Sequence, residues 1–236
     1  MSTAVVTGGT RGIGRAISAE LAAAGHKVIA LATSEPAEPL AGIDTRICDV
    51  TDEQQVASTF ADVGPVDILV NNAGVSGSNR LGRTTLDEWN RSIAVNATGA
   101  FLCTRAVIDP MLERDAGRIV TVASIAGVEG AKYIAAYASS KHAVMGLMRV
   151  VAAEVAGTGV TANSVCPTFV RTEMTVATIA NIARQTGKDL AEAEAALAKA
   201  TPHGRIIEID EVVEAVMELL SGDRNGQEIV LDGGPS

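Results

Sequence analysis

Aromatics, cysteine, basic charge and long apolar runs are all scarce in this 236-residue chain. Each scarcity excludes something. The three cysteines, Cys48, Cys103 and Cys166, are odd in number, far apart and set in apolar or strand-like surroundings. That pattern suits neither a disulfide framework nor a zinc site, and predicts small buried thiols in a reducing cytoplasm. His26, His142 and His203 share no metal-ligand spacing, so no metal is expected. With 28 acidic against 19 basic residues, and no run of Lys or Arg longer than two, there is no broad positive field for nucleic acid. Charge or glycine interrupts every apolar run well before 18 residues, and the first residues show no basic stretch leading into a long apolar one. Neither a membrane span nor a targeting signal is expected. What remains is ample material for a core, since 47% of residues are apolar and 20% charged.

Short β-branched runs alternate with Ala-rich segments of helical period, the pattern of β-α-β units building a parallel sheet. Seven strands are expected, at Ala4–Thr7, Lys27–Ala32, Thr45–Cys48, Asp67–Val70, Arg118–Ala123, Val160–Val165 and Glu228–Leu231. Helices are expected at Arg15–Ala24, Thr51–Asp62, Leu86–Arg114, Ala135–Ala156 and Asp210–Ser221. The stretch with Pro36 and Pro39 is too short and polar for a crossover helix. No linker-like shift in composition divides the chain, so one α/β domain spanning residues 1–236 is expected, with helices on both sheet faces. Residues 172–204 break the rhythm, being helical in composition but inserted after the sixth strand. A lid over a site and a plain surface hairpin are both open readings.

The chemistry begins at TGGTRGIG, residues 7–14. Gly8, Gly12 and Gly14, directly after a strand and opening a helix, allow a tight turn and bring backbone N–H groups to a pyrophosphate at the positive end of that helix. The spacing Gly-x-x-x-Gly-x-Gly resembles that of the short-chain dehydrogenase/reductase family. Four further motifs agree: Asn71-Asn72-Ala73-Gly74 after the fourth strand, Asn96 within VNATGAF, Ser124 ending the fifth strand, and Tyr137 four residues before Lys141. The intervals of 28 residues from Asn96 to Ser124 and 13 from Ser124 to Tyr137 also resemble the family's. A lone Tyr-x-x-x-Lys is a common accident of helical sequence; five ordered motifs are not.

The resemblance implies a Rossmann fold and a catalytic set of Asn96, Ser124, Tyr137 and Lys141. Reduction of a carbonyl needs a hydride from nicotinamide and a proton for the developing alkoxide. Tyr137 is the candidate acid, and an ammonium at Lys141 would lower its pKa. Lys141 would also hold the nicotinamide ribose, Ser124 would bond the substrate oxygen, and Asn96 would hold a water linking Lys141 to solvent. Coenzyme contacts are expected at Gly8, Thr10, Arg11, Gly12, Ile13, Gly14, Thr33, Asp49, Val50, Asn72, Ala73, Gly74, Tyr137, Lys141, Pro167, Val170 and Thr172. Asp49 would bond the adenine amino group, and Thr172 the carboxamide.

Coenzyme choice turns on the end of the second strand, where Ala32-Thr33-Ser34 offers no carboxylate. With Arg11 inside the glycine turn, this resembles NADP(H)-preferring members, notably bacterial 3-oxoacyl-carrier-protein reductases. Glu35 argues for NAD(H). The expected activity is therefore NADP(H)-dependent interconversion of a ketone and a secondary alcohol, with a 3-oxoacyl thioester or similar small carbonyl as substrate. An NAD(H)-dependent alcohol dehydrogenase and a non-catalytic nucleotide sensor are the alternatives. The chain departs from the family at Pro167-Thr168, where Pro-Gly is usual, so Thr168 would alter the loop or face the coenzyme. Phe169, Met174, Val176 and Ile179 suggest an apolar pocket, and Arg171, Arg184 and Lys188 are charges that an acidic substrate could meet or that water solvates. Trp89 is expected in the core, and Tyr133 in packing or on the substrate rim. The resemblance implies a homotetramer or homodimer formed through the helices carrying Asn96 and Tyr137.

Overall fold

The β-branched runs form seven strands because buried Val and Ile fill both faces of a covered parallel sheet. They are β1 (Thr3–Thr7), β2 (Lys27–Ala32), β3 (Ile43–Ile47), β4 (Ile68–Asn71), β5 (Gly117–Val122), β6 (Val160–Pro167) and β7 (Glu228–Leu231) in a computed structural model that describes residues 1–234. Their order is β3-β2-β1-β4-β5-β6-β7, all parallel. From β1 the chain winds outward through β2 to β3, then returns to place β4 on the other side of β1. That reversal opens a crevice at the carboxyl ends of β1 and β4.

The helices are α1 (Gly12–Ala23), α2 (Glu53–Val63), α3 (Leu86–Ile93), α4 (Gly99–Glu113), α5 (Ala135–Glu154), α6 (Glu173–Thr186), α7 (Leu190–Ala198) and α8 (Ile209–Ser221). One apolar cluster joins α2, α4 and α5 to the sheet through Val56, Phe60, Val107 and Met148. Another joins α1 and α8 to the opposite face through Ile17, Leu21, Val212 and Val216. Residues 33–42 cross from β2 to β3 without a helix. All three cysteines are buried and free. No helix among the described residues is long and apolar enough to cross a membrane.

Three expectations change. Helix α1 begins at Gly12, inside the glycine turn, and not at Arg15. The long helix expected over residues 86–114 divides at a π-turn, Ala94–Thr98, which holds Asn96. Trp89 is 38% exposed and not a core residue. Asp87, Glu88, Asn90 and Arg91 make α3 largely polar, Ser92 is its buried residue, and the helix packs mainly on α5.

Residues 172–204 fold as a helical hairpin with its own small core of Ile179, Ala193, Leu197 and Ile206. Its neck is closed by Arg171 N donating to Ile207 O and Ile207 N to Phe169 O, both at 2.9 Å.

Candidate active site

The glycine turn after β1 is shaped by close approach. Gly8 and Gly12 have φ of +62° and +51°, where a side chain is strained. A Cβ on Gly14 would lie 2.2 Å from Gly8 O and 2.4 Å from Asn72 Nδ2, so no larger residue fits. From inside α1, the buried Ser18 Oγ donates to Gly9 O at 3.1 Å. Helix α1 has no capping side chain and no acid in its first turn, whereas Asp52, Thr85, Thr172 and Asp189 cap α2, α3, α6 and α7. Its N–H groups and partial positive charge are thus open to an anion, with Thr10 and Ile13 half-buried and Arg11 exposed around them.

Asn71-Asn72-Ala73-Gly74 locks this turn to β4. Thr7 Oγ1 accepts from the backbone N–H groups of Asn72 and Ala73, each at 2.9 Å, and Asn72 Nδ2 donates to Thr7 O at 3.0 Å. A Cβ on Gly74 would stand 3.3 Å from Asn96 Oδ1 and 3.8 Å from Lys141 Nζ, so this segment also touches the proposed catalytic set.

The four side chains of that set meet here. Asn96 Oδ1 accepts from Val75 N at 2.8 Å, and its Nδ2 donates to Val75 O at 2.9 Å and to Ser140 Oγ at 2.8 Å. Ser140 Oγ in turn donates to Tyr137 O at 2.7 Å. Both Asn96 amide hydrogens are thus donated to protein acceptors, and Oδ1, which accepts from Val75 N, keeps a second lone pair for the expected water. Lys141 is 6% exposed, and its ammonium donates to Val122 O at 3.1 Å. It lies 5.9 Å from the centre of the Tyr137 ring.

Burial sets the ionisation here. It pushes the Tyr137 phenol up from its ordinary value, and the Ser124 hydroxyl beside it offsets part of that rise. Burial likewise brings Lys141 down to about 8. Desolvation thus disfavours the phenolate and the ammonium alike, and the one opposing influence on the phenol is Ser124, not the expected Lys141. Ser124 Oγ also accepts from Ala126 N at 3.1 Å, which fixes its rotamer at the end of β5.

The remaining predicted contacts line the carboxyl edge. Thr172 Cγ2 would be 4.0 Å from a Cβ on Gly12, which brings the hairpin's first residue to the glycine turn. Pro167 closes β6, and Val170 pairs with Ile207 at the neck. Val50 is buried and packs against Gly99. Asp49 Oδ1 accepts from Thr51 N and Oγ1 at 2.9 and 2.8 Å, leaving its second oxygen open. Thr33 and Glu35 stand exposed beyond β2, with no hydrogen bond to the rest of the site.

A family model described as short chain dehydrogenase matches residues 2–183. The chain belongs to the short-chain dehydrogenase family. With it the chain joins oxidoreductases that act between CH–OH and carbonyl groups. A D-beta-hydroxybutyrate dehydrogenase of Rhizobium meliloti is 34% identical over 253 residues, covering 98% of this chain and 97% of the relative. The 3-oxoacyl-[acyl-carrier-protein] reductase of Escherichia coli is 37% identical over 244 residues, covering 98% and 96%. Among solved structures, a variant of actinorhodin polyketide ketoreductase with NADPH superposes with a TM-score of 0.91 at 33% identity, covering 99% of this chain and 96% of that one.

Within the short-chain dehydrogenase frame, several sequence readings are redrawn. Thr168 Oγ1 donates to Leu231 O at 3.1 Å, so the side chain is bound to β7 instead of altering the loop. Arg171 is occupied by Glu194 at 2.8 Å and Glu208 at 3.0 Å and is not available to a substrate acid. Ile179 belongs to the hairpin's own core, while Phe169, Met174 and Val176 are exposed. Tyr133 lies before α5, exposed and with φ +72°, and so shares no helix face with Tyr137. Thr7, Ser18 and Ser140 hold the site together; Thr7 stands in the glycine motif and Ser140 between Tyr137 and Lys141, both without an assigned role, and Ser18 lies outside every motif. Ser18 and Ser140 each sit in the buried stripe of a helix, a polar residue in an apolar register, which is the signal that marks them.

Proposed function

We propose that this short-chain dehydrogenase interconverts a ketone and a secondary alcohol with NADP(H), acting on a 3-oxoacyl thioester or a similar small carbonyl. The observation that carries the reading is the convergence of Ser124, Tyr137 and Lys141 beside an uncapped helix N-terminus at the switch point of the sheet. A nicotinamide dinucleotide fits the residues present. The N–H groups of α1 suit its pyrophosphate, and Lys141, a buried ammonium whose protein partner is one carbonyl, has donors to spare for ribose hydroxyls. When bound, that coenzyme supplies or accepts the hydride.

Tyr137 then gives its phenolic proton to the carbonyl oxygen in reduction and takes it back in oxidation. Its raised pKa keeps the phenol protonated at neutral pH, the state that reduction needs. Ser124 donates to the same oxygen and stabilises the charge forming on it. Lys141 replenishes the proton, with the backbone of the π-turn as the supporting element for a water relay, since such turns rearrange carbonyl pairing. NADP(H) is favoured by Arg11 beside the turn and by the absence of a carboxylate in Ala32-Thr33-Ser34. The NAD(H) alternative draws on the exposed Glu35 and on the hydroxybutyrate dehydrogenase relative.

The hairpin at residues 172–204 is read as the substrate lid of this single domain. A homotetramer or homodimer is supported by Phe101 on α4 and Val150 on α5, which are 41% and 55% exposed on the two long helices. A cytoplasmic location suits the three buried thiols. Turnover of a ketone panel with NADPH and with NADH tests the coenzyme assignment, and a tenfold preference for NADH overturns it. Tyr137→Phe should lower kcat by about 10²–10⁴-fold while coenzyme still binds; unchanged turnover removes Tyr137 as the acid.

A further inference from the structure

A second polar feature lies beside the approach to α5, the helix that carries Tyr137. A cavity of about 440 Å³ is lined by Ser78, Asn79, Arg80, Arg83, Tyr133 and Gln185. Its walls are the loop between β4 and α3, the approach to α5, and lid helix α6. The lining holds two guanidinium groups and no carboxylate. Arg80 and Arg83 are exposed and, like Arg11, Arg15, Arg91, Arg118 and Arg184 among the described residues, form no ion pair; what sets them apart is that they line one cavity together. In a chain of net charge −9, two unpaired arginines facing one cavity are a local reversal of the overall field.

The arginines stand on a braced loop. Arg83 N and Thr84 N donate to Arg80 O at 2.8 and 3.0 Å, Asn79 Nδ2 donates to Arg83 O at 3.0 Å, and Asn79 N donates to Tyr133 O at 2.7 Å. The nearby acid Glu88 is held elsewhere: its Oε2 accepts from Thr85 N at 2.7 Å as part of a capping box, and its Oε1 faces the Asn79 amide at 3.5 Å. Tyr133 is one of two non-glycine residues with positive φ among those described, a conformation strained for a residue with a side chain. The Asn79 bond holds it there. Strain held in place by a specific bond at a cavity wall is a feature of binding sites.

Resting on the ketoreductase reading above, we infer that Arg80 and Arg83 form a subsite for an anionic group carried by the substrate at a distance from its reacting carbonyl. Tyr133 precedes Tyr137 by four residues, which bounds the separation of their Cα atoms at about 14 Å. That span is short enough for one substrate molecule to place an anionic group in the cavity and its carbonyl at Tyr137. Arginine forks pair with carboxylate and phosphate oxygens alike. The chemistry shared by a 3-oxo acid and a phosphate-bearing thioester is thus what the subsite recognises.

Kinetics with three ketones test this: acetoacetate, acetoacetyl-CoA and the neutral ethyl acetoacetate. In the Arg80→Gln/Arg83→Gln protein, the ratio of kcat/KM for an anionic ketone to that for the neutral one should fall at least tenfold, mainly through KM. A fall with acetoacetate identifies a carboxylate, and one with acetoacetyl-CoA alone identifies phosphate. An unchanged ratio overturns the inference. Should the double variant not fold, the unmodified enzyme still decides: KM for the anionic ketone should rise with ionic strength while that for ethyl acetoacetate stays level. Equal salt sensitivity overturns the subsite. If the unmodified enzyme turns over none of the three, the ketoreductase reading fails, which is distinct from failure of the subsite.

Discussion

The sheet-end site and the hairpin over it are built by opposite means. At the sheet end, Thr7, Asn72, Asn96, Ser140 and Tyr137 are joined by hydrogen bonds between segments far apart in sequence, above a core of fully buried Val, Ile and Leu. The hairpin relies on four small or aliphatic residues, a two-bond neck, and exposed ion pairs from Arg171. Exposed ion pairs contribute little, roughly 0–1 kcal/mol each. The difference suits the two tasks proposed for them. Proton transfer needs atoms held to a fraction of an ångström, while a boundary that admits substrate is drawn from the less stable parts of a fold.

The sharpest way to break this contrast is a matched pair of glycine substitutions. Gly14→Ala forces a methyl against Gly8 O and Asn72 Nδ2. Overpacking of this kind costs about 1–3 kcal/mol, or roughly 3–10 °C in Tm for a chain of this size, and should weaken coenzyme binding at least tenfold. Gly187, at the end of α6 with φ +72°, has nothing within 4 Å of an added Cβ. There Ala should cost about 1 kcal/mol of backbone strain and leave coenzyme affinity unchanged. Equal effects in calorimetry and binding would erase the distinction.

Lys141→Met sharpens it from the other side. The lysine's pKa falls on folding from 10.5 to about 8, so between those values the unfolded chain holds more protons than the folded one and stability rises with pH. Below about pH 8 the folded chain bears the full penalty of a buried ammonium, on the order of 3 kcal/mol. Removing it, less one hydrogen bond to Val122 O, should stabilise the fold by about 2 kcal/mol, or ~4–8 °C in Tm at pH 7. The gain should fade toward pH 10.5, and turnover should collapse. A variant less stable at pH 7 would mean that the ammonium supports the fold.

The smallest effect is expected at the neck. Arg171→Ala should lower Tm by less than about 2 °C, since its pairs with Glu194 and Glu208 are exposed. Proteolysis should then begin within residues 172–204 before it reaches the sheet. Global unfolding without such selective cleavage would show the hairpin to be integral to the core.

Much of the site was legible because its motifs are local. A strand, a glycine turn and a helix are adjacent in sequence, and Tyr137 and Lys141 are one helical turn apart. Ser124 and Asn96 were legible through resemblance to the short-chain dehydrogenase family, whose intervals theirs resemble. Trp89 was not, because its burial depends on which neighbour α3 meets, and α3 packs mainly on α5. Nor was the pairing of Arg171, whose carboxylate partners lie 23 and 37 residues away.

By itself the sequence determined the order of strands and helices, the glycine turn and the residues of the proposed catalytic set. Periodicity, spacing and glycine are properties of neighbouring positions, and local backbone sterics act on them directly. Tertiary structure alone decided that burial raises Tyr137 and lowers Lys141, that Asn96 is bonded to Val75 and Ser140, and that Arg80 and Arg83 line one cavity without an ion pair. Desolvation and pairing depend on what distant segments bring to the same few ångströms, and only the folded chain sets that.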